Sequence, residues 1–338
     1  MALDSYRLLG RSGLRVSPLA LGTMTFGWGA DRDEAQAIFD AFVGRGGNFV
    51  DTANGYANGT AEQMVGDFAH SRREQLVIAT KYSMPMRPGD PNSGGNSRKS
   101  MVRSVEASLS RLQTDYVDLL YLHLWDGHTP VEEVLRAMDD LVRAGKVLYL
   151  GISDIPAWEV ARMQAIAELR GWSPLIALQI PYNLVERTVE RDLIPMAGTM
   201  GLGVVPWSPL AGGVLAGKYG RSDLEPGGAG GANGQPSRKD HVVGNGFLTA
   251  RGLDIAEVVK DIAAEVGTTP SRLALAWTLV NPAVVATLVG ARTLPQLDDN
   301  LGAIEVELDA AQRARLEEAS AVDLGFPHET LRRLGLAS

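Results

Sequence analysis

The stretch Asn48-Phe49-Val50-Asp51-Thr52-Ala53-Asn54-Gly55-Tyr56 decides how the rest of the chain is read. Phe49 and Val50 begin it as a buried strand. Thr52 to Gly55 are polar or small and stop the strand, and Asn54-Gly55 is a turn pair. A carboxylate, Asp51, therefore stands at a strand's carboxyl end, with a phenol, Tyr56, five positions on in the same loop. Alone, such an Asp is more often a loop cap. The next two strands add weight. Leu76 to Thr80 is an apolar run with Lys81 at its end, and Val117 to Leu122 is another with His123 at its end. In a barrel of parallel strands all carboxyl ends lie on one face, and that face carries the chemistry.

Working outward, the strand and helix patterns alternate eight times. Tyr6 to Val16 reads as a hairpin able to cover the bottom of a barrel. Leu19-Ala20-Leu21 is the first barrel strand and ends in Gly22-Thr23-Met24. Asp31 and Glu34 have capping-box spacing ahead of a helix whose apolar stripe is Ala35, Ile38, Phe39 and Phe42. Further helices are expected over 60–69, 97–112, 131–144, 156–170, 189–199, 254–266, 271–280 and 294–303. Strands are expected over 147–150, 176–180, 204–207 and 284–289. An extra helix over 310–321 and a tail from Asp323 follow. Between Lys218 and Phe247 little periodicity remains and glycines accumulate, so a long loop is expected there. This order predicts an α/β fold, a (β/α)8 TIM barrel with an N-terminal β-hairpin, a long loop after strand seven and an extra C-terminal helix. Residues 1–338 read as a single domain. A doubly wound dinucleotide fold needs a glycine-rich turn directly between a strand and a helix, and neither Gly201-Leu202-Gly203 nor Gly228 to Gly234 stands in that position.

Composition narrows the function classes. The chain has 338 residues, 45% apolar and 21% charged, ordinary values for a globular protein. A net charge of -8 argues against a nucleic-acid partner, which needs a basic surface. There are no cysteines, hence no disulfide framework, and no apolar run of membrane-spanning length. The start, Met-Ala-Leu-Asp-Ser-Tyr-Arg, lacks an apolar signal core. A cytoplasmic protein without a membrane partner is expected. No metal site is expected either, since His123 and His128 are the only near pair and no dense carboxylate set completes it.

Taken together, Val50-Asp51-Thr52-Ala53 with Tyr56, Thr80-Lys81, Leu122-His123, Gly151-Ile152-Ser153, Pro206-Trp207-Ser208-Pro209-Leu210 and Gly290-Ala291-Arg292 with Gln296 and Asn300 resemble the aldo-keto reductase family, in order from about Tyr6 to about Val322. The branch resembled includes bacterial aldo/keto reductases and the potassium-channel β-subunits. The resemblance implies an NADPH-dependent oxidoreductase reducing aldehydes or ketones to alcohols. It implies Tyr56 as proton donor, Asp51 and Lys81 as its tuning pair and His123 as the group orienting the carbonyl. The chemistry is coherent. No side chain donates hydride, so a cofactor must. A free phenol has a pKa of about 10, and a neighbouring ammonium makes it easier to deprotonate.

The resemblance also implies a cofactor path for NADPH (NADP+). Gly22, Thr23 and Met24 lie at its rim beside Asp51. Ser153 and Gln179 hold the nicotinamide carboxamide and Trp207 stacks on the ring. Ser208, Pro209, Leu210, Gly212 and Lys218 follow the pyrophosphate. Gly290, Arg292, Gln296 and Asn300 meet the adenosine end, where Arg292 can bond a 2'-phosphate. One departure stands out: the family usually has Asn after the serine, and this chain has Asp154. Tyr56, His123, Trp28, Tyr82 and Trp125 are candidate substrate contacts at an aromatic mouth. The loop from about Gly220 to Gly246, with Arg221, Arg238 and Lys239, is expected to close over the pyrophosphate. Partners are a small-molecule carbonyl and, as an open alternative, further copies of the chain. The other function left open is a cofactor-binding regulatory subunit of the same fold with weak or no turnover.

Overall fold

The computed structural model describes residues 2–224 and 238–336. The chain opens with an antiparallel hairpin, β1 (Arg7–Leu8) and β2 (Arg15–Val16). There follow β3 (Leu19–Gly22), α1 (Arg32–Gly44), β4 (Phe49–Asp51), α2 (Thr60–Ala69), β5 (Val77–Tyr82), α3 (Arg98–Leu112), β6 (Val117–Leu122) and α4 (Val131–Arg143). The second half continues with β7 (Val147–Ser153), α5 (Ala157–Arg170), β8 (Leu175–Pro181), α6 (Leu193–Met200) and β9 (Gly203–Trp207). Then come α7 (Arg238–Gly244), α8 (Ala250–Val266), α9 (Pro270–Val280), β10 (Thr287–Val289), α10 (Leu294–Leu301), α11 (Ala310–Ser320) and α12 (His328–Arg333).

Eight parallel strands run in the order β10, β3, β4, β5, β6, β7, β8, β9. The ring nearly closes at one narrow seam, where Val204 bridges Val284 and the Val285 N–H donates to the Val204 carbonyl at 2.9 Å. This is a (β/α)8 barrel with the expected hairpin and C-terminal helix. The eighth strand is shorter than expected: 284–285 bend to reach β9 before Thr287–Val289 pair with β3.

Period-two alternation sorts the strand residues into two layers. Val50, Ile78, Leu120, Leu122, Leu178 and Val204 face the helices and pack with Phe39, Phe68, Met101 and their neighbours. Ala20, Phe49, Val77, Ala79, Leu119, Tyr121, Ala177, Val205 and Leu288 fill the barrel interior. Leu9 and Val16 of the hairpin join that inner cluster, so the hairpin plugs the amino end. Gly10, at φ +57°, makes the plug fit: a Cβ there would lie 2.2 Å from the Ile176 carbonyl oxygen. Gly151 gives way to the Tyr121 ring inside the barrel in the same manner, at 2.5 Å.

Helix starts follow local chemistry. The Asp31 carboxylate accepts the Glu34 N–H as an N-cap. The other half of that capping box is diverted, since the Glu34 carboxylate accepts from the Leu294 N–H and ties α1 to the start of α10. Several boundaries differ from the sequence pattern. Strand β5 continues through Tyr82, the helix expected at 189 begins at Leu193 after a 3-10 turn at Thr188–Glu190, and the tail contains α12. The stretch read as an unbroken loop from 218 to 247 contains a 3-10 turn at Arg221–Leu224 and α7. Residues 225–237, the centre of the expected closing loop, and the Arg238 side chain lie outside the described residues. No helix among the described residues is long and apolar enough to cross a membrane.

Candidate active site

The inner-face alternation that fills the barrel also delivers the site. Asp51 is two residues past Phe49, Lys81 two past Ala79, His123 two past Tyr121, Gln179 two past Ala177 and Trp207 two past Val205. Each continues an inward-facing row by one step toward the carboxyl end, where side chains meet across the barrel.

Lys81 is fully buried and its ammonium has three acceptors: the Asp51 carboxylate at Oδ1, the Thr52 carbonyl at 2.9 Å and the Tyr56 hydroxyl at 3.1 Å. The other Asp51 oxygen accepts the Gln179 amide at 2.8 Å. Tyr56 is presented by a strained turn. Ala57 and Asn58, at φ 46° and 55°, sit in the left-handed region that side chains rarely adopt, a geometry that persists only where surroundings hold it. The His123 ring meets Tyr56 edge-on, with centroids 6.0 Å apart.

Electrostatics follow from burial. Burial pushes the Tyr56 phenol above its ordinary value, and the Asp51 charge adds to this, while Lys81 pulls the other way. The net direction is upward, so the simple expectation of a lowered phenol holds for the Lys81 contribution and not for the sum. Burial works against the Lys81 ammonium, but Asp51 and Tyr56 outweigh it and hold its pKa above the ordinary value. Burial, then Lys81, depresses His123 to about 3, so its ring is neutral at physiological pH. Burial raises Asp154 to about 6 against the pull of Trp207 and Lys81.

These groups open on a cavity of about 570 Å³ at the carboxyl end, within the roughly 300–1,000 Å³ usual for ligand pockets. At its inner end its wall holds Gly22, Met24, Asp51, Tyr56, His123, Ser153, Asp154, Gln179 and Trp207. Along one side run Ser208, Pro209, Leu210, Gly212 and Lys218, and at the far end Gly290, Arg292, Gln296 and Asn300. Trp28 lines the mouth, half-exposed, its indole N–H donating to the Met24 carbonyl at 2.6 Å.

Four expected contacts lie off the wall. Thr23 is buried behind it, its hydroxyl donating to the Asp51 carbonyl at 2.9 Å. Lys81 sits behind Asp51 and Tyr56. Tyr82 is one residue past Lys81, so alternation turns its ring to the helix-facing layer, which corrects its reading as a mouth residue. Trp125 packs against that same layer. Gln296 and Asn300 partly brace the loop they were expected to serve: Gln296 accepts the Arg292 N–H at 3.0 Å, and Asn300 donates to the Gly290 carbonyl at 3.1 Å. The Arg221 and Lys239 side chains pair with Asp254 and Asp223.

Wall residues that the sequence did not flag include Val242, Phe247, Ser271 and Asp299. Phe247 packs beside Trp207 with centroids 6.4 Å apart. An isolated aromatic closing a glycine-rich stretch was the available signal for it.

The cavity suits a long, partly anionic ligand with a flat ring. Trp207 offers a ring face at one end. Ser208 and Ala211, at φ 49° and 48°, fold a tight turn along the side. The half-buried Arg292 has no carboxylate within ion-pair distance among the described residues.

The model of the Aldo/keto reductase family matches residues 18–321. Norsolorinic acid reductase B of Dothistroma septosporum is 38% identical over 334 residues, covering 95% of this chain and 82% of that protein. An uncharacterised oxidoreductase of Bacillus subtilis is 40% identical over 323 residues, covering 90% and 92%. A putative aryl-alcohol dehydrogenase of Saccharomyces cerevisiae is 36% identical over 342 residues, covering 96% and 89%.

Proposed function

The chain belongs to the aldo/keto reductase family and is an enzyme of carbonyl/alcohol oxidoreduction, and we propose that it reduces aldehydes or ketones with NADPH, using Tyr56 as the proton donor. The observation that carries this reading is the single ammonium of Lys81 joining Asp51 to the Tyr56 hydroxyl at the cavity wall. Bound in the cavity, the nicotinamide supplies the hydride that no side chain can. The protein's own part is to hold the carbonyl and deliver a proton. Burial keeps the Tyr56 phenol protonated at neutral pH, so the proton is present when an alkoxide forms. Lys81 then stabilises the phenolate left behind. The neutral His123 ring offers one N–H to the carbonyl oxygen. Its Nδ1 is buried without a partner among the described residues, which favours the tautomer with the proton on Nε2.

For the cofactor, the reading rests on Ser153, Asp154 and Trp207 at the ring end and Lys218 along the side. Arg292, unpaired by any carboxylate among the described residues, favours the 2'-phosphate of NADPH over NADH. Two of the relatives are named for reduction of norsolorinic acid and for aryl alcohols. With Trp28 at the mouth, an aryl carbonyl is the substrate class proposed. A cytoplasmic setting is part of the proposal, in keeping with a chain that has no cysteine to form disulfides.

The test is NADPH oxidation with a panel of aryl and alkyl aldehydes and ketones, for wild type and Tyr56→Phe. Turnover in the variant is expected to fall by about 10²–10⁴-fold, the usual range for a lost acid–base group, with NADPH affinity retained. Full turnover by Tyr56→Phe would remove the tyrosine from its role.

A further inference from the structure

Asp154 stands where the family usually has an amide, on the wall of the cavity. Its backbone is left-handed, at φ 48°, a conformation Asp and Asn tolerate better than most residues. The carboxyl lies on the cavity wall beside Ser153 and accepts the Trp207 indole N–H at 3.1 Å. It is thus fixed at the edge of the indole on whose face, in the reading above, the nicotinamide packs.

An amide at this point is neutral, whereas a carboxylate carries a charge. The oxidised nicotinamide ring is cationic and the reduced ring is neutral. We propose that the ionised Asp154 carboxylate, held in place by the Trp207 indole, biases this site toward the oxidised cofactor. The inference rests on the cavity being the nicotinamide site.

The charged and titratable groups around Asp154 are Lys81 from β5, Tyr56 from the turn after β4, Asp51 from β4 and His123 after β6. Lys218 and Arg292 line the same cavity from more distant loops. Lys81 and Tyr56 are both pushed above their ordinary values, and His123 titrates at about 3. None of these three changes charge where Asp154 does, at about 6. Raising the pH through that value places a negative charge beside the ring. Binding of the oxidised form therefore tightens relative to the reduced form as pH rises.

The experiment measures dissociation constants for NADP+ and NADPH from about pH 5 to about pH 8, by NADPH fluorescence and by displacement with NADP+. The ratio of the two removes the titration of the 2'-phosphate, which both forms share and which lies at about 6 for phosphate monoesters. In wild type the ratio is expected to shift roughly tenfold toward NADP+ over that range, the size of one unit-charge interaction through partly screened protein. Asp154→Asn keeps the left-handed backbone and an acceptor for the indole, and its ratio is expected to stay flat. Trp207→Phe removes the N–H that favours the carboxylate, so its midpoint is expected to move to higher pH. A flat ratio in wild type, an equal shift in Asp154→Asn or an unmoved midpoint in Trp207→Phe would overturn the proposal. Failure of both cofactors to bind wild type would overturn the cofactor reading, and this inference with it.

Discussion

The two ends of the barrel interior are built from the same strands and the same inward-facing rows, yet they are opposite in chemistry. At the amino end Leu9, Val16, Phe49, Val77 and Ile176 form a dry apolar plug. Further along the inward-facing rows, Asp51, Lys81, His123 and Gln179 replace apolar side chains with groups that are expensive to bury. The plug needs nothing beyond shape. The carboxyl end needs its buried charges matched, and Lys81, with three acceptors, meets that demand. The contrast shows that the amino end stabilises the fold while the carboxyl end draws on that stability to hold charges away from water.

Removing one charge separates the two roles most sharply. Lys81→Met is expected to abolish most turnover and to destabilise the protein by about 3–5 kcal/mol, because Asp51 is left buried without its partner. Adding Asp51→Asn should recover much of the stability and none of the turnover. Denaturant unfolding and initial rates on both variants check this. If the double variant stays as unstable as the single one, the pair is not what limits stability at that end.

The converse change is at the plug. Phe49→Ala is expected to lower stability by about 3–5 kcal/mol while the folded fraction keeps its turnover. Calorimetry with active-site titration by cofactor would show it. A loss of turnover per folded molecule would mean that the two ends are mechanically coupled.

The smallest effect belongs to the far end of the cavity, beyond the barrel's rows altogether. Arg292→Ala is expected to reduce the preference for NADPH over NADH by ten- to a hundredfold, from about 1.5–3 kcal/mol for a charge-assisted bond. Stability should hardly change, since that guanidinium has no carboxylate partner among the described residues to orphan. Equal weakening of both cofactors would show that Arg292 does not read the phosphate.

The alternation of eight strands and helices was legible because both periods are short-range, and apolar runs ending in Asp51, Lys81 and His123 mark the rim of the candidate site directly. Two-residue alternation even separates Lys81, facing in, from Tyr82, facing the helices, although chemical suitability alone had suggested both. What only the tertiary structure decided is which distant groups share a proton or a bond. Glu34 caps α10 instead of its own helix. Phe247 reaches Trp207 from the end of a glycine-rich segment, and Asp154 meets the indole across 53 positions. The upward direction of the Tyr56 phenol was likewise beyond the sequence. It is a balance of burial against Lys81 and Asp51, and burial is a sum over all the segments that close around a group, which no local pattern contains.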